Sequence, residues 1–389
     1  MSFSSLQHYR ISASLLYFNQ GLVFSSWASR IPDIKNSLGL NEAQLGSILF
    51  ALPVGQLLTM ALSGYLVSRY GSKNTISVAA IFYPLALLCL GLSTAAWQLV
   101  LSLIFFGISA NMCNIAINTQ GVGVERLYRH SIMSSFHGLW SLAGVFGGLF
   151  GAWMVSLYIT PFHHFCVIVI LVWSIFFLIR KSLLPRDNNS VESGKKNDPY
   201  RPKPIFTRPD RYILILGIIA FSSMICEGTM FDWSGIYFEQ VIRSDKQWTR
   251  LGYIAFMTAM TCGRFIADKL VTRFGVIPVV RSGGVLITTG LGISVLFPNL
   301  FATTIGFLLV GFGTSSIVPL CYSMAGKSKT MLPGVALATV STIGFLGFLL
   351  GPPLIGYIAQ ASNLQWSLTV VALTGLVTIA ASSGLRKYR

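Results

Sequence analysis

Two carboxylic acids, Glu227 and Asp232, stand inside one long apolar run. A charged carboxylate within such a run is costly unless it is paired or lines a wet cavity. An acid there therefore marks a place where protons or solute bind, or a hydrogen bond between helices. The two lie five residues apart, about 140° round a helix, so they need not share one task. Glu227 falls near the middle of the run, and Asp232 lies nearer its end, where the plainer role is a polar group at a mouth. His137 is a third candidate for proton coupling, because imidazole is the side chain that changes charge near neutrality. It sits one turn from Trp140 and Ser141; the plainer alternative is a hydrogen-bonded structural histidine.

Amides and aromatics form a second set. Asn111, Asn114 and Asn118 are spaced by three and seven, which puts them on one helix face. Amides in an apolar run need partners, and either a hydroxyl-rich solute in a wet cavity or a neighbouring helix supplies them. Gln20 and Trp27 are seven apart, with Asn19 beside Gln20. An amide beneath an indole can bond sugar hydroxyls while the ring stacks on the apolar sugar face; Trp27 as an interfacial anchor is the alternative. Trp140, Trp233 and Tyr322 complete the candidate solute-binding set. Arg264 and Asp268 are spaced i, i+4, which predicts an intrahelical ion pair with a gating or structural role.

Nothing points to a metal, a cofactor or an enzyme. The six cysteines all lie in apolar runs, none in a CxxC pair or beside a ligand-like histidine. No phosphate-cradling loop or nucleophile elbow is present.

The elements that must hold these residues follow from composition. Of the 389 residues, 53% are hydrophobic and only 10% charged, against about 25% charged in a soluble domain. Much of the exterior must therefore meet lipid. A spanning helix needs about 20 mainly apolar residues, and that ruler predicts spans at 10–31, 42–67, 74–95, 97–123, 131–158 and 162–183, then 211–240, 249–272, 276–297, 299–325, 333–359 and 364–385. The net charge of +16 would suggest nucleic acid if it formed a patch. Instead the basic residues sit at span ends, mostly on one side: Arg69, Lys73, Arg126, Arg129, Arg273, Arg281, Lys327, Lys329, Arg386, Lys387 and Arg389, against Lys35, Arg243, Lys246 and Arg250 in the opposite loops. That asymmetry sets orientation, and predicts an inner-membrane protein with both termini and the polar stretch 184–210 in the cytoplasm.

The expected fold is all-α: twelve transmembrane helices in two pseudo-symmetric six-helix bundles, 1–183 and 211–389, joined by the 184–210 linker. The duplication shows in GYLVSRYG (Gly64 to Gly71) and DKLVTRFG (Asp268 to Gly275), offset by 204, and in Gly107 and Gly311 at the same offset. Gly144 and Gly148 pair with Gly347 and Gly351 at 203, and Ser26-Trp27-Ala28 with Asp232-Trp233-Ser234 at 206. Repeated halves place a site at their interface near the bilayer midplane. Pro319, Pro352 and Pro353 are candidate hinges.

At GYLVSRYGSK the chain resembles the major facilitator superfamily, whose loop between spans two and three has this pattern; Gly64, Leu66, Arg69, Gly71 and Lys73 match, and Ser68 replaces the usual acid. The second copy keeps Arg273 and Gly275, with Thr272 in the acid's place. SWASRIPDIK, INTQGVGVER, SSFHGLWSLAG, EGTMFDWS and GRFIADKLVTRFG further resemble the rhizopine-transporter-like group that neighbours the fucose:proton symporters. The resemblance implies a secondary transporter with Gly64, Arg69, Gly71, Arg273 and Gly275 as gating residues beside Arg264 and Asp268; the core amides and the embedded acid make the expected cargo a small polar solute, sugar- or cyclitol-like, carried with protons by a monomer. An exporter of amphipathic compounds and a non-transporting membrane sensor are the rival expectations.

Overall fold

A computed structural model describes residues 3–128, 132–185, 210–328, 331 and 333–385. Arg129, Lys329, Arg386, Lys387, Arg389 and most of the 184–210 stretch lie outside the described residues. Fourteen α-helices and no strands are found among them: α1 (Phe3–Ser37), α2 (Glu42–Leu49), α3 (Ala51–Tyr70), α4 (Ser72–Leu92), α5 (Ala96–Tyr128), α6 (Met133–Ser156) and α7 (Pro161–Ile179), then α8 (Arg211–Gln240), α9 (Leu251–Phe274), α10 (Val276–Leu296), α11 (Leu300–Thr314), α12 (Ile317–Ala325), α13 (Pro333–Ala361) and α14 (Leu364–Gly384).

Fourteen helices make twelve spans because two spans are broken, and proline places both breaks. Pro53 has no N–H to give Leu49, and α2 ends at Leu49. Pro319 stands four residues after Ser315, and α11 ends at Thr314. A proline ring both removes the bond to the carbonyl four residues back and crowds it. The helix α13, by contrast, runs unbroken through Pro352 and Pro353.

Among the described residues, ten spans are long and apolar enough to cross a membrane by length and composition. The remaining two are α1 and α9. From Leu22 to Lys35 almost every residue of α1 is buried, packed among α4, α5, α6, α7 and α8, so it meets protein rather than lipid. The helix α9 carries Arg264, Asp268, Lys269 and Arg273.

The duplication is visible in packing. Gly71 and Gly275 both break the chain between helices with φ near +81° and +85°, a conformation that glycine tolerates and other residues do not. We refer to the end of the molecule that holds these two turns as the basic end. Gly107 lies against the Leu52 carbonyl and Gly311 against the Phe256 carbonyl, the same contact 204 residues on. Small residues at such points let helix backbones close on one another, which is what holds helices together in lipid.

Elsewhere the register differs from the one expected. Gly147 and Gly151 face Ser25 and Ser29, while Gly347 and Gly351 face Phe221 and Ile225. Gly21 faces Ala143, and Gly217 faces Ile343. Spans five and eleven therefore match at an offset of 200 (Gly147 to Gly347), and spans one and seven at 196 (Gly21 to Gly217). The expected matches at 203 and 206 were coincidences of composition. Gly144 and Gly148 face Met257 and Tyr253 of the other half instead, and Ser223 rather than Trp233 is the equivalent of Trp27.

Candidate functional site

Between the halves, a line of polar contacts starts on α5 and ends on α8. The Asn118 side chain donates to Asn114 Oδ1 (2.9 Å) and accepts from the Tyr17 hydroxyl (2.8 Å). Tyr17 stacks on Phe136 and meets the edge of His137, with ring centroids at 5.3 and 5.2 Å. One turn further along α6, Ser141 Oγ donates to the His137 carbonyl (3.1 Å) and accepts from Arg264 Nη1 of α9. Arg264 also lies over the Trp140 ring, 5.9 Å from its centroid, and forms an ion pair with Glu227 of α8 at 3.6 Å. The Arg264 and Glu227 side chains are 19% and 16% exposed, so neither is fully sealed in protein. Asn114 and His137 are exposed although they lie within spans.

Toward the other end the line is capped by rings. Phe231, one turn beyond Glu227 on α8, is 4% exposed. Its ring meets Phe24 (5.2 Å), Trp140 (6.3 Å), Tyr253 (6.3 Å), Phe256 (5.7 Å) and Phe348 (6.5 Å). Four helices besides its own supply these neighbours, two from each half, so the layer holds only while the halves are together at this level.

Beyond the rings, the end opposite the basic one is closed by charge. Asp33 Oδ2 receives Arg30 Nη1 of its own helix (3.3 Å) and Arg250 Nη2 of the other half. Arg250 Nε donates to the Ser29 carbonyl (3.0 Å), and Arg30 Nε to His164 Nδ1 (3.0 Å). Asn36 donates to Glu239 (2.7 Å), Gln240 to Glu42 (2.9 Å), and Ser47 pairs with Tyr357 (2.9 Å). Lys35 pairs with Glu42 at 3.2 Å. Beneath this network Gly46 and Gly356 bring α2 and α13 into backbone contact.

Several expected residues fall elsewhere. Arg264 does not pair with Asp268: among the described residues no ion pair joins them, and Asp268 is exposed. The guanidinium points inward to Glu227 because the interior holds the acid and Ser141, whereas Asp268 lies on the exposed face of α9. Asn111 donates to Ser63 on α3 (3.1 Å), a bond between helices. Asn19 donates to the Val172 carbonyl (3.2 Å), and with Gln20 it lines a small gap within the first half. Trp27 and Trp233 are buried and their indole N–H groups have no hydrogen-bond partner. Both are therefore covered by protein rather than anchored at a membrane surface in this conformation. Tyr322 donates to Ser341 (3.3 Å). Asp232 is half-buried and makes no hydrogen bond or ion pair among the described residues. Gly64 faces open space. Arg69 and Arg273 each lie over the ring of the next residue, Tyr70 at 5.9 Å and Phe274 at 5.3 Å.

Tyr17, Phe24, Phe231 and the charged closure were not anticipated. Tyr17 and Phe24 are seven apart, the spacing that singled out Gln20 and Trp27, so the signal for one face was present. The closure was legible in a different way: Arg30, Asp33, Glu42, Glu239 and Arg250 concentrate charge at the ends of spans whose other loops on that side carry almost none.

Comparison with known proteins matches residues 12–329 to the family described as the Major Facilitator Superfamily. An uncharacterised MFS-type transporter of Yersinia pestis is 33% identical over 96% of this chain and 94% of that protein. The membrane protein MosC of Rhizobium meliloti is 30% identical over 96% of this chain and 89% of that protein. Among solved structures, the nucleoside transporter NupG superposes with a TM-score of 0.78 at 13% identity, over 97% of this chain and 99% of that one.

Proposed function

The chain belongs to the major facilitator superfamily, and from that premise we propose that it is a secondary transporter moving a small polar solute, sugar- or cyclitol-like, together with protons. The observation that carries this is the Glu227–Arg264 pair, held at 3.6 Å beneath the Phe231 ring layer and joined through Ser141 to the other half. An acid and a base at membrane depth, partly open to a cavity and spanning two moving bodies, are what a coupling site requires. Protonation of Glu227 weakens its hold on Arg264, and Arg264 is the side chain that ties α9 to α6.

The remaining polar groups support a hydrophilic solute. Tyr17, Asn114 and Asn118 offer hydroxyl and amide bonds on one wall, and Trp140 offers a ring face. The ring cluster would favour an amphipathic solute if it lined the cavity, but its centre, Phe231, is 4% exposed and acts as a lid. The charged closure corresponds to the outer gate, with the cavity open toward the basic end. The basic end is then the cytoplasmic face of the inner membrane. Both termini and the 184–210 linker lie there, between bundles 1–183 and 211–389 of a monomer.

Proteoliposomes holding a pH-sensitive dye test the proposal against a panel of sugars, cyclitols and their acid and amine derivatives. At least one solute is expected to carry protons inward. Glu227→Gln is expected to lose that proton movement and uphill accumulation while keeping solute counterflow. A panel in which solute enters without protons refutes the coupling. Accumulation by Glu227→Gln equal to wild type removes Glu227 from it.

A further inference from the structure

We infer that the solute carried with the proton is an anion: a sugar-like molecule bearing one carboxylate, which takes the place of Glu227 on Arg264. The inference rests on Glu227 being the proton-coupling acid and follows from the charges around it.

Of the five N–H donors of a guanidinium, those of Arg264 have two acceptors among the described residues, the Ser141 hydroxyl and the Glu227 carboxylate. The Glu227 contact, at 3.6 Å, is an ion pair longer than the about 2.7–2.9 Å of a charge-assisted hydrogen bond. Glu227 in turn accepts no other hydrogen bond among the described residues. The pair is neutral as a whole, and the guanidinium has donors to spare.

Protonation of Glu227 leaves the guanidinium as an uncompensated cation at membrane depth. A buried charge that loses its partner is strongly destabilised. Among the described residues, no other carboxylate pairs with Arg264 to take over. His137 on α6 is neutral or cationic, and Tyr322 on α12 is a neutral phenol at ordinary pH. Asp232 is five residues on, about 140° round α8, and forms no ion pair with Arg264. Carrying a neutral sugar with the proton would therefore move an unpaired guanidinium through the closed state.

A carboxylate on the solute removes the difficulty. It binds the planar fork of Arg264 bidentately, as that geometry favours, while the hydroxyl-bearing body meets Tyr17, Asn114 and Asn118. Glu227, displaced, takes a proton from water. The loaded site then holds one cation and one anion, as the empty one does, so both legs of the cycle cross the membrane with a neutral centre. One proton and one monoanion move together, and no net charge is transported.

The test uses the full-length protein in proteoliposomes, with an internal pH dye and a potassium–valinomycin clamp, supplied in turn with glucuronate, glucose and glucosamine. Glucuronate is expected to acidify the lumen at a rate that the clamped potential does not change. Arg264→Gln is expected to reduce that rate more than tenfold. Arg264→Lys, which keeps the charge but not the fork, serves if the glutamine variant fails to fold, and is expected to raise KM about tenfold with kcat largely kept. Acidification driven by glucose or glucosamine but not by glucuronate overturns the inference while leaving proton coupling intact. So does glucuronate-driven acidification that speeds up with an inside-negative potential. Glucuronate entering without protons overturns the inference and the coupling reading together.

Discussion

Gly46 sits where the outer halves of α2 and α13 touch, and adding one methyl there should open the molecule. A Cβ on Gly46 would stand 2.6 Å from the Pro352 carbonyl oxygen and 3.0 Å from Gly356 Cα. Both obstacles are backbone and cannot rotate away. Restoring an ordinary 3.4 Å contact requires the helices to part by about 0.8 Å, because repulsion rises steeply inside van der Waals contact. Overpacking of this kind costs about 1–3 kcal/mol. The contact joins the two halves, so only the closed state bears the cost, and the closed-to-open ratio should fall about 5- to 150-fold, at about 1.4 kcal/mol per factor of ten. Spin labels at Ser37→Cys and Lys246→Cys, with exposed Cys89 and Cys262 replaced by serine, report the separation by electron–electron resonance. Gly46→Ala should add a longer-distance population. Gly55→Ala is the control: its Cβ meets the Ile104 carbonyl within one half, so it should lower thermal stability without changing that distance. An unchanged distribution in a folded Gly46→Ala protein would refute the assignment of this contact to a gate.

Asp33→Asn removes the shared anion from Arg30 and Arg250, side chains 2% and 3% exposed. Because Asp33 is itself 29% exposed, the loss is smaller than the about 3–5 kcal/mol of a fully buried pair, and opening to water relieves it, so a cysteine at Trp140 should become more reactive to impermeant thiol reagents from the closed side; no gain in reactivity rules out a gate role for Asp33. Gly275→Ala places a Cβ at φ +85° and ψ +165°, a region that only glycine adopts readily, at a cost of about 1–3 kcal/mol; a lower melting temperature in detergent is expected, and an unchanged one would show that the turn can relax.

Ten of the twelve spans were legible because lipid imposes a length and a polarity that composition alone reveals, and α1 and α9, which fall short of that measure, were still legible as apolar runs. The turns at Gly71 and Gly275 were legible because a motif fixes them. Register within the repeat was not, since Trp27 and Trp233 align in letters but not in packing, and only the neighbours of Gly147 and Gly347 disclose the true offset. The partner of Arg264 was missed for a related reason. Spacing i, i+4 identifies which groups can meet on one helix, but Asp268 is exposed, while the partner of Glu227 among the described residues is Arg264. Which pair forms is decided by burial, and burial depends on a second helix that local sequence does not name. Asn19 and Asn111 show the same limit: an amide in a span needs a partner, and the sequence does not say whether that partner is solute or protein.

The repeat also shows how the chemistry became one-sided. At the offset of 204, Asn118 corresponds to Tyr322, and at 200 Ser141 corresponds to Ser341. All four make hydrogen bonds at the centre, but with different partners: Asn118 with Tyr17, Ser141 with Arg264, and Tyr322 with Ser341. The charged residues have no polar counterparts. Glu227 corresponds to Ile31 at 196, and Arg264 to Met60 at 204. The first half thus presents hydroxyls and amides with His137 beside them, and the second half holds the acid and the guanidinium. On the proposed coupling, Arg264 touching Ser141 is the point at which protonation of Glu227 would alter the grip of one half on the other.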